Sequence, residues 1–392
     1  MKILYISDVY FPRINGVSTS IQTFRGELQR LGHRVDVVAP RYGDEPDADG
    51  IIRVPGFTVP FDPEDRLIHH RAIKAQEQSL MAEGYDLIHI QTPFVAHRFG
   101  LKLARRMNVP VVETYHTFFE EYLYHYVPLA PRSWMRSLAR RFSRLQCNRV
   151  DRVVVPSRAM QQALADYGVE TPMVKLPTGL RPEELAGGNG ATFREKHRIH
   201  SERPTLVHVG RVAFEKNISF LLKVLRRVAQ DVPDVLMVIA GEGPALPSLK
   251  REAENLDLMD HLLFIGNMER ATELMDCYRA ADAFVFASRT ETQGLVLLEA
   301  MALSVPVVST AVMGTKDILD PGKGCIVAEE DEDDFSSKVL NVLNDDNLRT
   351  RLRREAHEYA LGEWNAGIMA ERLAAVYEEL VVESQMSSHQ AA

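Results

Sequence analysis

Two acids and two cations in the second half of the chain carry the most chemical content. Glu291 and Glu299 sit in the frame Glu291-Thr292-Gln293-Gly294-Leu295-Val296-Leu297-Leu298-Glu299-Ala300-Met301-Ala302. A helix starting near Gln293 exposes its first amides beside Glu291, and Glu299 falls within its first two turns, in an otherwise apolar run. A carboxylate there is costly unless it is paired or hydrogen-bonded, and ribose or sugar hydroxyls are natural donors for both acids. The plainer reading is an N-terminal acid favoured by the helix dipole plus a buried ion pair; it accounts for Glu291 well and Glu299 poorly. Upstream, Gly210-Arg211-Val212-Ala213-Phe214-Glu215-Lys216-Asn217 leaves a strand. Arg211 offers a planar fork and Lys216 a compact point charge, and together they can neutralise a diphosphate. Asn217 is placed to cap the next helix; a capped helix with solvated cations would carry the same letters.

The first half offers further constellations. In Asp8-Val9-Tyr10-Phe11-Pro12-Arg13-Ile14-Asn15-Gly16-Val17-Ser18, Gly16 at a helix start lets the backbone approach a phosphate, where free amides and the dipole attract anions. A plain glycine turn is the alternative. The dinucleotide pattern G-x-G-x-x-G is missing there, which disfavours a dehydrogenase. His116, in Thr114-Tyr115-His116-Thr117-Phe118-Phe119-Glu120-Glu121-Tyr122, lies directly after a strand, where a catalytic or substrate-binding histidine would lie. Its spacing to Glu120 is helical, yet two ligands do not make a metal site. From Pro131 to Val150 there is no acid, and Arg132, Arg136, Arg140 and Arg144 form one helical stripe, with Arg141 and Arg149 in the same segment. Trp134, Leu138, Phe142 and Leu145 form an opposite, apolar stripe. Such a basic amphipathic helix has the make-up of an interfacial membrane helix; packing of the apolar stripe on its own domain is the other reading.

These residues need strands and helices to position them. Strand patterns occur at Ile3–Ser7, Val35–Ala39, Ile51–Val54, Leu87–Ile90, Val111–Thr114 and Arg152–Val155, then at Thr205–Val209, Val235–Ala240, Leu262–Ile265, Ala283–Ala287 and Val305–Ser309. Many are apolar at consecutive positions, as in strands buried on both faces of a parallel sheet. Helical stretches such as Val17–Leu31 and Ile218–Ala229 alternate with them, so the fold class is α/β. A single sheet of so many strands is improbable, and two Rossmann-like domains follow. The Pro/Gly cluster from Leu176 to Pro182, followed by Gly187-Gly188-Asn189-Gly190, marks the boundary.

Composition narrows the class. The 392 residues are 45% hydrophobic and 26% charged, ordinary for a soluble globular protein. No apolar run reaches membrane-span length, and the start reads as a strand instead of a signal peptide. Three dispersed cysteines, Cys147, Cys277 and Cys325, exclude a disulfide scaffold and suit a reducing, cytoplasmic compartment. Net charge is −8, yet residues 1–180 carry 23 Lys and Arg against 19 Asp and Glu, whereas the remainder carries 23 against 35. That balance speaks against nucleic-acid binding and leaves room for an anionic surface on the N-terminal side.

Taken together, the Glu291/Glu299 frame, the Arg211…Lys216 spacing and Gly241-Glu242-Gly243-Pro244 resemble the retaining family 4 glycosyltransferases of GT-B architecture. The likeness runs from the Asp8–Ser18 loop to the region around Trp364. It implies two doubly wound parallel-sheet domains facing a central cleft. Residues 1–180, with a last helix at roughly 362–382, would be the acceptor and membrane side, and residues 181–361 the nucleotide-sugar donor domain. The resemblance further implies that Arg211 and Lys216 bind the donor diphosphate in place of a metal, with no cofactor required. Glu299 would hold the ribose; Glu291, with the amides of Gly294 and Leu295, the transferred sugar. Asn267 and Met268 would contact the base, Gly16 the phosphates and His116 the sugar near the reaction centre. Asp47-Ala48-Asp49 is formally the D-x-D of metal-dependent transferases, but it sits in an acidic turn with no strand feeding it. The Asp8–Val17, Gln91–Phe94 and Thr114–Tyr122 segments are similar to diacylglycerol glycosyltransferases, which dock on anionic bilayers through a basic N-domain helix. Arg132, Trp134, Arg136, Arg140, Arg141 and Arg144 fit that role, here with Arg in place of Lys. The expected activity is transfer from a UDP-sugar to a lipid hydroxyl, at the inner face of the cell membrane. A soluble or polysaccharide acceptor with GDP-mannose, a GT-B sugar-nucleotide 2-epimerase, and a non-catalytic membrane-binding protein remain as alternatives.

Overall fold

The computed structural model describes residues 1–46, 48–59, 62–118, 132–270 and 272–391. Asp47 of the D-x-D triplet, and Phe119 to Tyr122 with Glu120, lie outside them. The chain divides into two compact units, Met1–Gly179 with Ala366–Ala392, and Leu180–Asn365.

The first unit is built on an eight-stranded sheet ordered β4-β3-β2-β1-β5-β6-β7-β8. Its strands are β1 (Lys2–Ile6), β2 (Arg34–Arg41), β3 (Ile51–Val59), β4 (Asp62–Ile68), β5 (Leu87–Ile90), β6 (Val111–Thr114), β7 (Arg152–Val155) and β8 (Met173–Lys175). Its helices are α1 (Gly16–Arg30), α2 (His70–Ala75), α3 (Glu77–Glu83), α4 (Val95–Met107), α5 (Arg132–Cys147) and α6 (Arg158–Asp166). The sheet is parallel except that β4 runs antiparallel to β3. A hairpin needs only the two residues separating these strands, whereas a parallel crossover needs a dozen or more. Because β1–β5–β6–β7 step in one direction, right-handed crossovers place α4 and α5 on the same face of the sheet.

The second unit carries a six-stranded parallel sheet, β11-β10-β9-β12-β13-β14. Here β9 is Thr205–Val209, β10 Leu236–Ala240, β11 Leu262–Gly266, β12 Ala283–Phe286, β13 Val307–Ser309 and β14 Cys325–Val327. The helices are α7 (Gly190–Lys196), α8 (Ile218–Asp231), α9 (Leu246–Asn255), α10 (Glu273–Arg279), α11 (Leu295–Ala302), α12 (Lys316–Leu319), α13 (Glu332–Asn344) and α14 (Asp346–Glu363). The core strands are buried along their whole length, as the unbroken apolar runs require.

The last helix, α15 (Ala366–Ala391), returns to the first unit. It begins at Ala366 and not near residue 362, because α14 continues to Glu363 and the chain breaks at Trp364. Trp364 is buried in the second unit, and its carbonyl accepts the Leu180 amide at 2.6 Å. α15 contributes Met369, Leu373 and Tyr377 to the core formed by β1, β2 and α1. The Tyr377 hydroxyl lies 3.0 Å from that of Tyr5 and 2.5 Å from Nδ1 of His89, all three buried. Replacing this fully enclosed ring by Tyr377→Ala should cost the first unit about 3–5 kcal/mol. Hydrogen exchange resolved by peptide is expected to show lost protection in β1, β5 and α1, with β9–β12 unchanged.

Candidate active site

In the second unit, the carboxyl ends of three strands are locked together by backbone contacts. The Gly210 amide donates to the Ala240 carbonyl at 3.0 Å, Gly241 to Gly266 at 2.8 Å, and Val212 to Glu242 at 2.8 Å. A Cβ on Gly241 would lie 2.0 Å from the Gly210 carbonyl oxygen, and one on Gly243 2.4 Å from that of Val212. Glycine is therefore dictated at both positions by close approach. Arg211 and Lys216 project from the loop so fixed, Lys216 at the end of a single 3-10 turn, Phe214–Lys216.

The Lys216 ammonium is paired with the Glu291 carboxylate. Glu291 is held in turn by its own carbonyl, which accepts the Gly314 amide at 2.8 Å. Gly294, at φ 100°, precedes α11, so the helix starts at Leu295, two residues later than the sequence pattern suggests. The amides that open α11 belong to a turn with no intrahelical acceptors. Asn217 takes the N-cap position of α8 but makes no side-chain cap; its Nδ2 donates to Oε1 of Glu330 at 3.2 Å. Its left-handed backbone (φ 56°) carries its side chain away from the helix amides.

Glu299 is 3% exposed on α11. It pairs with the Arg270 guanidinium and accepts from the Tyr278 hydroxyl at 3.0 Å. The buried ion pair, the plainer of the two sequence readings, is thus present, and sugar hydroxyls are not needed to satisfy Glu299. Neither partner is apparent from the sequence, because Arg270 and Tyr278 lie 29 and 21 residues away. Asn267 is exposed and donates to Oε2 of Glu242 at 3.1 Å, while Met268 packs against the hydrophobic core. His208, at the end of β9, is another residue the sequence reading missed, although one imidazole within Thr-Leu-Val-His-Val was a usable signal. It is fully buried, donates from Nδ1 to the Val285 carbonyl at 3.1 Å, stacks on Phe286, and leaves Nε2 without a partner beside Gly210.

The remaining candidates lie in the first unit. Gly16 opens α1, where the Asn15 side chain accepts the Ser18 amide at 2.9 Å. No atom lies within 4 Å of a Cβ built on Gly16, so the chain itself does not require glycine there. The preceding loop is anchored by buried Asp8, whose carboxylate accepts from the Ile68 and Ala96 amides at 3.2 and 3.0 Å and from Thr92 Oγ1 at 3.0 Å. Burial nevertheless pushes Asp8 up to about 6. His116 is half-buried, its Nε2 3.0 Å from Oε1 of Gln91, and loss of hydration lowers its pKa to about 4. In α5, Met135, Ala139, Ser143 and Gln146 face inward. Trp134, Leu138 and Leu145 are instead 61%, 46% and 46% exposed, so of the expected apolar stripe only Phe142 is partly covered. The small residues let the helix settle close to the sheet and turn its large apolar residues outward. Arg136, Arg141 and Arg144 are exposed, and the Arg140 guanidinium lies over the Tyr167 ring at 5.4 Å. The Arg132 side chain is outside the described residues.

Among the described residues, no three His, Cys, Asp or Glu side chains are grouped to hold a metal ion, and no helix is long and apolar enough to cross a membrane. Burial lowers the His208 pKa to about 4, with Lys216 adding to the depression. Below the unfolded value of about 6.5 the unfolded chain binds the proton that folded His208 refuses, so stability falls with pH over the window from about 6.5 to 4. A His208→Phe variant should show a flatter fall of the second unit's urea midpoint across that window, measured at half-unit pH steps.

The family pattern described as "Glycosyltransferase Family 4" matches residues 14–184, and that described as "Glycosyl transferases group 1" matches residues 190–359. An alpha-monoglucosyldiacylglycerol synthase of Streptococcus pneumoniae is 36% identical over 325 residues, covering 79% of this chain and 71% of that protein. A GDP-mannose-dependent alpha-(1-6)-phosphatidylinositol monomannoside mannosyltransferase of Mycolicibacterium smegmatis is 27% identical over 95% of this chain and 97% of its own. Among solved structures, a sucrose-phosphate synthase from Thermosynechococcus elongatus superposes with a TM-score of 0.79 at 19% identity, over 97% of this chain and 99% of that one. Two family patterns in tandem and extended identity to a named transferase agree with the paired parallel sheets: the chain belongs to glycosyltransferase family 4 and is a hexosyl-transferring enzyme of the GT-B fold class.

Proposed function

We propose that the enzyme moves a hexose or hexuronic acid from a UDP-sugar to the hydroxyl of a membrane lipid such as diacylglycerol, with retention of configuration and without a metal. The observation that carries the lipid acceptor is α5, an acid-free arginine helix that turns Trp134, Leu138 and Leu145 to solvent. Such a surface combines cations for anionic headgroups with side chains that partition into the interface. The name of the Streptococcus pneumoniae relative supports the same reading. In this reading the first unit is the acceptor and membrane side, the second holds the donor, and the enzyme is peripheral to the inner face of the cell membrane.

Cleavage of the bond between the sugar C1 and the diphosphate oxygen leaves negative charge on the leaving group. Arg211 and Lys216 are the fixed cations for that charge, and charges already in position cost no reorganisation as the bond breaks. Glu291 holds the Lys216 ammonium in place and, with the amides of Gly294 and Leu295, offers acceptors and donors to the sugar. Glu299 takes the ribose hydroxyls while keeping Arg270 and Tyr278 as partners. Asn267 and Met268 stand for the base, Gly16 for the phosphates and His116, neutral at pH 7, for a sugar hydroxyl. The acceptor oxygen attacks C1 on the face the diphosphate leaves, and a departing phosphate oxygen takes its proton.

The test is mass spectrometry of lipids after incubation in EDTA with anionic vesicles containing diacylglycerol, offering UDP-glucose, UDP-galactose, UDP-glucuronate and GDP-mannose separately. A glycosylated diacylglycerol from one UDP-sugar is expected. The Mycolicibacterium relative favours GDP-mannose as the second reading, and a product from that donor alone would replace the first. Nucleoside diphosphate released with no lipid product would remove the lipid acceptor. Lys216→Ala should lower kcat by roughly 100- to 1000-fold, the scale of losing one preorganised charge-stabilising donor. Charge reversal at Arg136, Arg140 and Arg144 should abolish activity on vesicles while leaving slow donor hydrolysis intact.

A further inference from the structure

His208 is built into the second unit in a way that packing alone does not require. β12 pairs with β9 at Ala283–Leu206 and Phe284–Val207, and the ladder between them ends there, whereas β10 follows β9 as far as Val209. Where the ladder stops, the His208 ring takes its place. Its Nδ1 donates to the Val285 carbonyl at 3.1 Å, and the ring stacks on Phe286 and Phe284 with centroids 5.5 and 6.4 Å away. A side chain thus joins the carboxyl ends of the two strands whose loops carry Lys216 and Glu291. The strand order reverses about this pair, with β10 on one side of β9 and β12 on the other, which is where open α/β sheets take their ligands.

The bond to Val285 fixes the tautomer. A carbonyl only accepts, so Nδ1 carries the proton and Nε2 of the neutral ring keeps its lone pair. Nε2 lies 4.0 Å from where a Cβ on Gly210 would stand, is fully buried, and has no partner among the described residues. An orphan acceptor in a core is costly, and phenylalanine would fill the same stack without that cost. Burial does most to keep the ring neutral, opposed by the Val285 bond; the charges of Lys216 and Glu291 also reach it, with opposite sign. A substrate atom does not reach a ring with no exposed surface. Lys216 does lie within its field, on the loop that Gly210 begins, and an ammonium offers further N–H donors after Glu291 has taken one.

We propose that His208 is a positioning residue of the donor site: as the diphosphate engages Lys216, the Nε2 lone pair accepts one N–H of that ammonium and keeps it in place while charge develops on the leaving group. The proposal rests on the donor-site reading above. A neutral acceptor suits the task. A second carboxylate beside Lys216 would cancel the charge that the leaving diphosphate needs, whereas imidazole fixes the ammonium and leaves its charge intact. Hydrogen bonds to charged groups are also the stronger ones. A purely structural ring would need Nδ1 and the stack, and nothing from Nε2.

Asparagine can place an amide donor where Nδ1 stands, and glutamine a carbonyl oxygen where Nε2 stands, so the two variants separate the two nitrogens. Nucleoside diphosphate release is measured with each of the sugar donors named above. His208→Asn should lower kcat on the order of 10- to 100-fold with KM little changed, as loss of one hydrogen bond to a charged group in the transition state does. His208→Gln should stay within a few-fold of the parent. Parental kcat in His208→Asn, or a His208→Gln variant as slow as His208→Asn, overturns the proposal. A second measurement does not depend on the variants' activity: NMR of the full chain labelled with nitrogen-15 histidine, titrated separately with UDP and GDP. The Nε2 resonance of the Nδ1–H tautomer, identified by its absence from His208→Gln, should move to lower frequency as a nucleoside diphosphate saturates the parent. In Lys216→Met it should stay in place, and a shift there too overturns the proposal. A nucleoside diphosphate that binds the parent by calorimetry without moving the resonance overturns the proposal alone. If neither UDP nor GDP binds, the donor-site reading falls and the proposal with it.

Discussion

Backbone packed directly on backbone, at the carboxyl ends of β9, β10 and β11, is the constraint on which the second unit depends. Where a Cβ on Gly241 would fall 2.0 Å from the Gly210 carbonyl, no side chain can stand between the loops, and their amides and carbonyls bond to one another instead. The same device holds the acidic side: a Cβ on Gly314 would lie 2.0 Å from the Thr292 carbonyl, next to Glu291. Both loops that carry the Lys216–Glu291 pair are thus clamped by contacts only glycine permits. Charges held this way are set by the fold and do not wait for a ligand to order them, the condition under which they stabilise a developing anion best.

Buried charge is handled in two ways. Glu299 is taken deep into the second unit, and its desolvation is offset by one guanidinium and one phenol. In the first unit Glu77 is treated alike, with Lys102 and Arg106 beside it, whereas buried Asp8 and His89 and half-buried His116 are held by amides, hydroxyls and a carboxamide. Burial accordingly dominates there, raising Asp8 and lowering both histidines.

The α/β class and most strands were legible because buried parallel strands announce themselves as consecutive apolar residues. β4 was not, since Asp62-Pro63-Glu64-Asp65 carries none of the composition of a strand and is an edge hairpin arm. β8 and β14, three residues each, are too short to form a pattern. At the site, local signals were readable and distant partners were not: the cost of burying Glu299 could be seen in the sequence, but not Arg270, which meets it only through the fold. On α5, of the two readings the sequence left open, packing of the apolar stripe on its own domain does not hold, since Trp134, Leu138 and Leu145 are exposed. Ala139 and Ser143 went inward, and a helix that must sit close to a sheet buries its small residues first.

The return of α15 sets an order on how the molecule comes into being. Residues 180–365 are contiguous and can complete their sheet and core as soon as they leave the ribosome. The first unit, although made first, lacks Met369, Leu373 and Tyr377 until α15 has been made, and the apolar wall of β1, β2 and α1 stands uncovered meanwhile. The hydroxyls of Tyr5 and Tyr377, 372 positions apart, are joined last. The unit that reads first in the gene is therefore finished second, and a nascent chain stalled before residue 366 presents one completed domain and one open hydrophobic face for chaperones to recognise.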